Sequence, residues 1–83
     1  MKLGPQLIQL LSKTYEPDSL INMKFKSYDI AFKTNSAGEA TLLFFGKLDT
    51  NEQIKGLRYV RTLVKDQEGR ILKDHWELKG KAT

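Results

Sequence analysis

The sequence predicts an α+β fold: one N-terminal helix packed on a four-stranded antiparallel sheet made of two β-hairpins. Three features point there. Leu7, Ile8, Leu10, Leu11 and Tyr15 recur at helical spacing near the start of the chain. Beyond residue 27, apolar and polar residues alternate as they do in half-buried strands. Two polar stretches, "KTNSAGEAT" and "VKDQEGRIL", then share a plan, each with a glycine where a type I turn followed by a left-handed residue needs one.

The helix should run over about residues 5–14. Gly4 suits the N-cap, and Pro5 suits the first helical position, where its missing N–H costs nothing. Leu3 can staple onto Ile8. Pro17 disfavours helix at Glu16 and ends the element. The polar face (Gln6, Gln9, Ser12, Lys13) is nearly uncharged, which favours packing on a core over lying on a membrane surface.

Residues 18–27 read in two ways. They form either a short turn capped by Asp18 or Ser19, or an extended segment with Ile21, Met23 and Phe25 on one face. The apolar phase then switches to Tyr28, Ile30 and Phe32, so a bulge or bend is expected near Lys26–Ser27. Such a bend could roll the sheet toward a partial barrel. The sheet itself should span about residues 22–79, with 80–83 a frayed tail.

In the hairpins, left-handed glycines at Gly38 and Gly69 set Asn35 opposite Glu39 and Asp66 opposite Arg70. Carried along the strands, that register pairs Phe32 with Leu42 and Ile30 with Phe44. It also pairs Val64 with Leu72, Thr62 with Asp74 and Val60 with Trp76. An even-numbered apolar face follows: Tyr28, Ile30, Phe32, Leu42, Phe44, Leu48, Val60, Val64, Leu72, Trp76 and Leu78. It should take the helix and form the core, with Asp74 as an inward charge guarding an edge strand. Between the hairpins, "DTNEQIKG" reads as a loop or a single helical turn capped by Asp49 or Thr50. Residues 51–65 also fit a helix on spacing; Gly56 and the β-formers Tyr59, Val60, Thr62 and Val64 favour strand.

The stretch "ATLLFFGKL" raises the question that leads to function. Its four consecutive large apolar residues point to two faces. On this register the odd face carries Leu43, Phe45, Tyr59 and Leu63, with Arg61, His75 and Glu77 around them. An apolar strip rimmed by charge has the composition of an interface. Three coverings are open: residues 21–25 folded back, a second copy of the chain, or a different partner.

The bulk properties narrow the classes. The 83 residues suit one domain spanning 1–83, near the lower end of what folds without staples. With no cysteine, disulfides and thiolate metal sites are excluded. No run approaches a membrane span, and the start "MKLGPQLIQLL" is too interrupted for a signal sequence, so a cytoplasmic protein without membrane association is expected. The net charge of +4 is dispersed, with acids beside bases in "KDQEGR" and "KDHWELK".

Chemistry finds little foothold. His75 is the single histidine; with Glu77, Arg61 and Tyr59 it would make an acid/base-like cluster, and equally a cross-strand charge ladder. "HWE" matches half of a zinc deaminase signature whose cysteine half is absent. No glycine-rich phosphate loop or nucleophile elbow is present. No cofactor, metal or catalytic set is expected. The sequence leaves the function unknown and favours a small non-catalytic module for protein interaction or self-association, as a homodimer or with another protein. The alternative is weak, sequence-tolerant binding of nucleic acid through Arg61, Lys65, Lys73 and Tyr59.

Overall fold

A computed structural model describes residues 3–81. It contains one short helix, α1 (Pro5–Leu11), and five strands: β1 (Leu20–Phe25), β2 (Tyr28–Thr34), β3 (Ala40–Leu48), β4 (Ile54–Lys65) and β5 (Ile71–Lys81). The strands form one antiparallel meander in the order β1-β2-β3-β4-β5, with β1 and β5 as its edges. No helix among the described residues is long and apolar enough to cross a membrane.

The helix starts as expected, with Gly4 at the N-cap and Pro5 in the first turn, and it ends at Leu11 rather than near Thr14. Leu7 and Leu11 are its buried residues. From Thr14 the chain runs extended along the β2–β3 turn. Tyr15 N–H donates to the Gly38 carbonyl at 2.8 Å, and Asp18 N–H to the Asn35 carbonyl at 3.0 Å. Buried Thr34 holds this segment: its hydroxyl donates to the Glu16 carbonyl at 2.6 Å and accepts from Ser19 N–H at 2.9 Å.

Five strands stand where four were expected. The bend near Lys26–Ser27 is a two-residue hairpin turn, with Phe25 paired to Tyr28 and Lys26 at φ +56°. A two-residue turn pairs position i with i+3, so odd positions before it share a face with even positions after it. That is the phase switch seen in the sequence, and it makes residues 20–25 a strand in their own right.

The three remaining turns share one construction. Asn35, Asp49 and Asp66 each accept two backbone N–H bonds on Oδ1, and each pairs with the residue four positions on. Gly38, Glu52 and Gly69 take the left-handed position at φ +79°, +61° and +83°. The sequence shows the first and third of these. The second, at "DTNEQ", lacks the glycine and so reads as a loop or a single helical turn.

The expected even-numbered core face is wrong for β3 and β4. The registers begin at the turns as expected, with Thr34 opposite Ala40 and Lys65 opposite Ile71. Each then shifts by one residue, so that Lys33 pairs with Leu42, and Val64 with Lys73. A one-residue slip exchanges the faces of everything beyond it. The rows that cross the sheet under α1 are therefore Ile21, Phe32, Leu43, Tyr59 and Leu78, and next to it Met23, Ile30, Phe45 and Leu57. Leu43, Phe45 and Tyr59 are buried with Ile30, Phe32, Leu7 and Leu11 as one core. Leu42, Phe44, Leu48, Val60 and Val64 lie on the other face instead. Leu72 falls at the shift and is 68% exposed. Burying Phe32, Leu43 and Tyr59 of the first row and Ile30 and Phe45 of the second against two helical leucines is the main stabilising term, at about 25 cal/mol per Å² removed from water.

Trp76 lies on the core side as expected, opposite Arg61 rather than Val60. Residues 51–65 contribute a strand, not a helix. Gly80 and Lys81, expected in a frayed tail, extend β5 opposite Arg58 and Leu57, while 82–83 lie outside the described residues.

Candidate functional site

The register places the sequence-derived candidates on both sides of the sheet. Leu43 and Tyr59 are buried and Phe45 is 8% exposed, so the apolar strip read as an interaction face is the core beneath α1. Leu63 is half-buried on that same side, opposite Asp74. Arg61 is also buried there, with its guanidinium bonded to Asp74. His75 pairs with Thr62 and Glu77 with Val60, so both face away from α1. The Arg61–Tyr59–His75–Glu77 cluster is thus divided by the sheet and does not assemble. Asp74 does point inward as expected, but its partner is Arg61 and not Thr62.

The candidate nucleic-acid contacts scatter likewise. Tyr59 and Arg61 are buried, and Lys65 Nζ is ion-paired with Glu39 at 2.7 Å. Lys73 alone of the four is exposed with no ion pair among the described residues. No group of three or more metal-ligating side chains comes together among the described residues.

What the structure does assemble lies on the helix-free face. One row across it is Leu20, Lys33, Leu42, Val60 and Glu77, and the next is Asn22, Ala31, Phe44 and Arg58. In the following row, after Lys24 and Asp29, Gly46 faces Gly56, and this pair puts no side chain above β3 and β4. The backbones approach so closely there that a Cβ on Gly46 would lie 1.9 Å from the Lys55 carbonyl oxygen. Beyond this pair the tip of the β3–β4 hairpin folds back over the face, bringing Glu52, Gln53 and Ile54 beside Leu20, Ala31 and Phe44.

The fold-back leaves a groove of about 270 Å³. Leu20, Ala31, Phe44 and Ile54 form its apolar floor and walls, and Asn22, Lys33, Glu52 and Gln53 its polar rim. Ala31 and Ile54 are buried by this packing, whereas Leu20 remains 55% exposed at the groove mouth.

Two carboxylates hold the tip in place. Asp29 Oδ2 accepts Leu48 N–H at 3.0 Å and its other oxygen lies 3.5 Å from Lys24 Nζ. The Leu48 N–H bond, with Lys24 and Lys47 nearby, holds the Asp29 carboxyl below its usual range. Asp49, which organises the turn, is lowered mainly by Gln53 N–H, with Asn51 N–H adding to it. The anchored tip makes the groove a preformed feature of the fold.

Sequence reading missed this site because each signal for it is non-local. The Gly46–Gly56 pairing needs the β3–β4 register, and the fold-back needs the turn that "DTNEQ" conceals. No family model matches the chain, and neither does any curated protein or any solved structure.

Proposed function

We propose that this protein is a non-catalytic protein-interaction module that binds its partner on the helix-free face of the sheet. The groove between Leu20, Phe44 and Ile54 would take an apolar anchor side chain of the partner. The observation that carries this reading is the composition and size of that groove. An apolar floor with a polar rim is the anatomy of a protein interface, where a buried anchor is surrounded by contacts that exclude water. Its volume falls just under the roughly 300–1,000 Å³ of pockets that enclose small ligands, and fits one large side chain better than a whole metabolite. Half-buried Leu42 and Val60 continue the apolar surface across the sheet, and Lys33, Arg58 and Glu77 supply charges of both signs around it.

A photoreactive residue in place of Leu20 tests the reading in cells. It should yield protein adducts that the same residue at Lys13, outside the groove, does not. Phe44→Ala, which removes the groove floor, should abolish them. Equal adducts from both positions, adducts indifferent to Phe44→Ala, or adducts to nucleic acid would each overturn it.

A further inference from the structure

We propose that β5 is a self-association edge: a second copy of this chain adds its own β5 antiparallel to it, giving a ten-stranded sheet with a two-fold axis at His75. The groove plays no part in this, since its walls come from β1, β2, β3 and the β3–β4 tip.

β5 ends the sheet, bonded to β4 on one side only, and from Ile71 to Lys81 every residue except Trp76 is exposed. Such an edge presents alternate N–H and C=O groups that another strand satisfies as a ladder. The inward charge that would guard it is neutralised, because Asp74 is held by two hydrogen bonds from Arg61.

Side-chain complementarity selects the occupant and the register. Outward-pointing backbone groups must meet outward-pointing groups, so odd positions face odd positions and a symmetric antiparallel pair centres on a residue. The pairing of β5 with β4 is regular from Lys73 to Leu78 with a shift beyond each end, and a centre at Lys73 or Leu78 would carry half of the pair past a shift, which leaves Asp74 to Glu77. Centring on Asp74 opposes Lys73 to the partner's His75 and gives it no acid, and centring on Glu77 opposes two like carboxylates at the axis. Centring on Trp76 opposes Lys73 to the partner's Lys79 twice, and Trp76 is already engaged, with the Arg61 guanidinium 5.7 Å from its ring. Centring on His75 opposes Lys73 to the partner's Glu77, twice by symmetry, and sets Leu72 beside the partner's Leu78. Opposite charges directly across an antiparallel pair stabilise it, and like charges do the reverse. This register supplies Lys73 with the acidic partner it lacks among the described residues of its own chain. It also covers Leu72, the most exposed large apolar residue among those described at 68%, and Leu78, exposed at 39%. The second copy is the complementary occupant because β5 carries both halves of each pair.

Light scattering across a concentration series, on the full chain, should show a monomer–dimer equilibrium. Lys73→Glu, which opposes two carboxylates twice, should raise the dissociation constant at least tenfold, and adding Glu77→Lys should restore it. Both positions are exposed, so at a concentration where the parent is monomeric the melting temperature of each variant should stay near that of the parent. Because the chain has no cysteine, His75→Cys should also oxidise to a linked dimer, whereas Thr62→Cys, one strand inward, should not. A monomer throughout, a dimer insensitive to Lys73→Glu, a charge swap that fails to restore pairing, or equal trapping at both cysteines would overturn the proposal.

Discussion

Arg61 and Asp74 meet edge to edge, with Nε to Oδ1 and Nη2 to Oδ2 both at 2.6 Å. The remaining guanidinium nitrogen of Arg61 reaches the Ala40 carbonyl at 3.1 Å and the Leu11 carbonyl at 3.4 Å. One buried side chain thereby ties β4 to β5, to the start of β3 and to the end of α1. Leu11 has no further helical turn after it, so its carbonyl is one of the orphan acceptors of the helix end.

Removing the carboxylate should therefore cost more than an exposed ion pair would. Asp74→Ala should destabilise the fold by about 2 kcal/mol, since it leaves the Arg61 charge buried; partial exposure of Asp74 keeps the loss below that of a fully enclosed pair. Urea unfolding at pH 7 measures it, and a loss under about 0.5 kcal/mol, the scale of a surface pair, would remove the role given to Arg61.

The same contacts set the response to acid. Hydrogen bonds from Arg61 hold Asp74 below the usual carboxylate range, and the hydrogen bond from Lys65 does the same for Glu39, each against the opposing effect of burial. Both groups bind protons more readily in the unfolded chain. Their stabilisation is thus complete above the ordinary carboxylate range of roughly pH 4 and is lost as pH falls through the lowered folded values. Urea midpoints should be level near neutrality and drop below about pH 4, and Asp74→Asn should flatten the drop.

Neighbouring residues on β3 report the register. Leu43→Ala should cost about 3 kcal/mol, in line with a fully buried leucine, and Leu42→Ala about 1 kcal/mol, because Leu42 is half-buried on the opposite face. The reverse order in chemical denaturation would restore the even-numbered core and displace the groove.

Gly46 admits no side chain. Gly46→Ala would drive a Cβ into the Lys55 carbonyl, so β3 and β4 must separate at that point. We expect a loss of about 3 kcal/mol or more, beyond the usual range for single substitutions, with protection of the Leu48 and Ile54 amides from hydrogen exchange falling first.

Glu52 holds a left-handed conformation at φ +61° that costs an ordinary residue about 1 kcal/mol. Glu52→Gly should raise stability by roughly 0.5–1 kcal/mol, making this turn equivalent to those at Gly38 and Gly69. A fall in melting temperature would mean that the Glu52 side chain contributes more at the groove rim than its backbone strain costs.

Local chemistry was enough for the helix start at Gly4–Pro5, the turns around Gly38 and Gly69, and the strand character of residues 54–65. Each of these rests on contacts among a few neighbouring residues. It also showed that "LLFF" must be covered on two sides. Which side belonged to the core depended on single-residue shifts beside Thr34 and Lys65, and nothing in the local sequence marks them. They are settled by whether Leu43 and Tyr59, or Leu42 and Val60, pack better under Leu7 and Leu11. A strand has a side-chain period of two, so one unmarked shift moved Leu43, Phe45, Tyr59 and Arg61 from a supposed surface into the interior. The groove followed from the same tertiary choice: the register that buried Phe45 turned Phe44 outward and set Gly46 against Gly56.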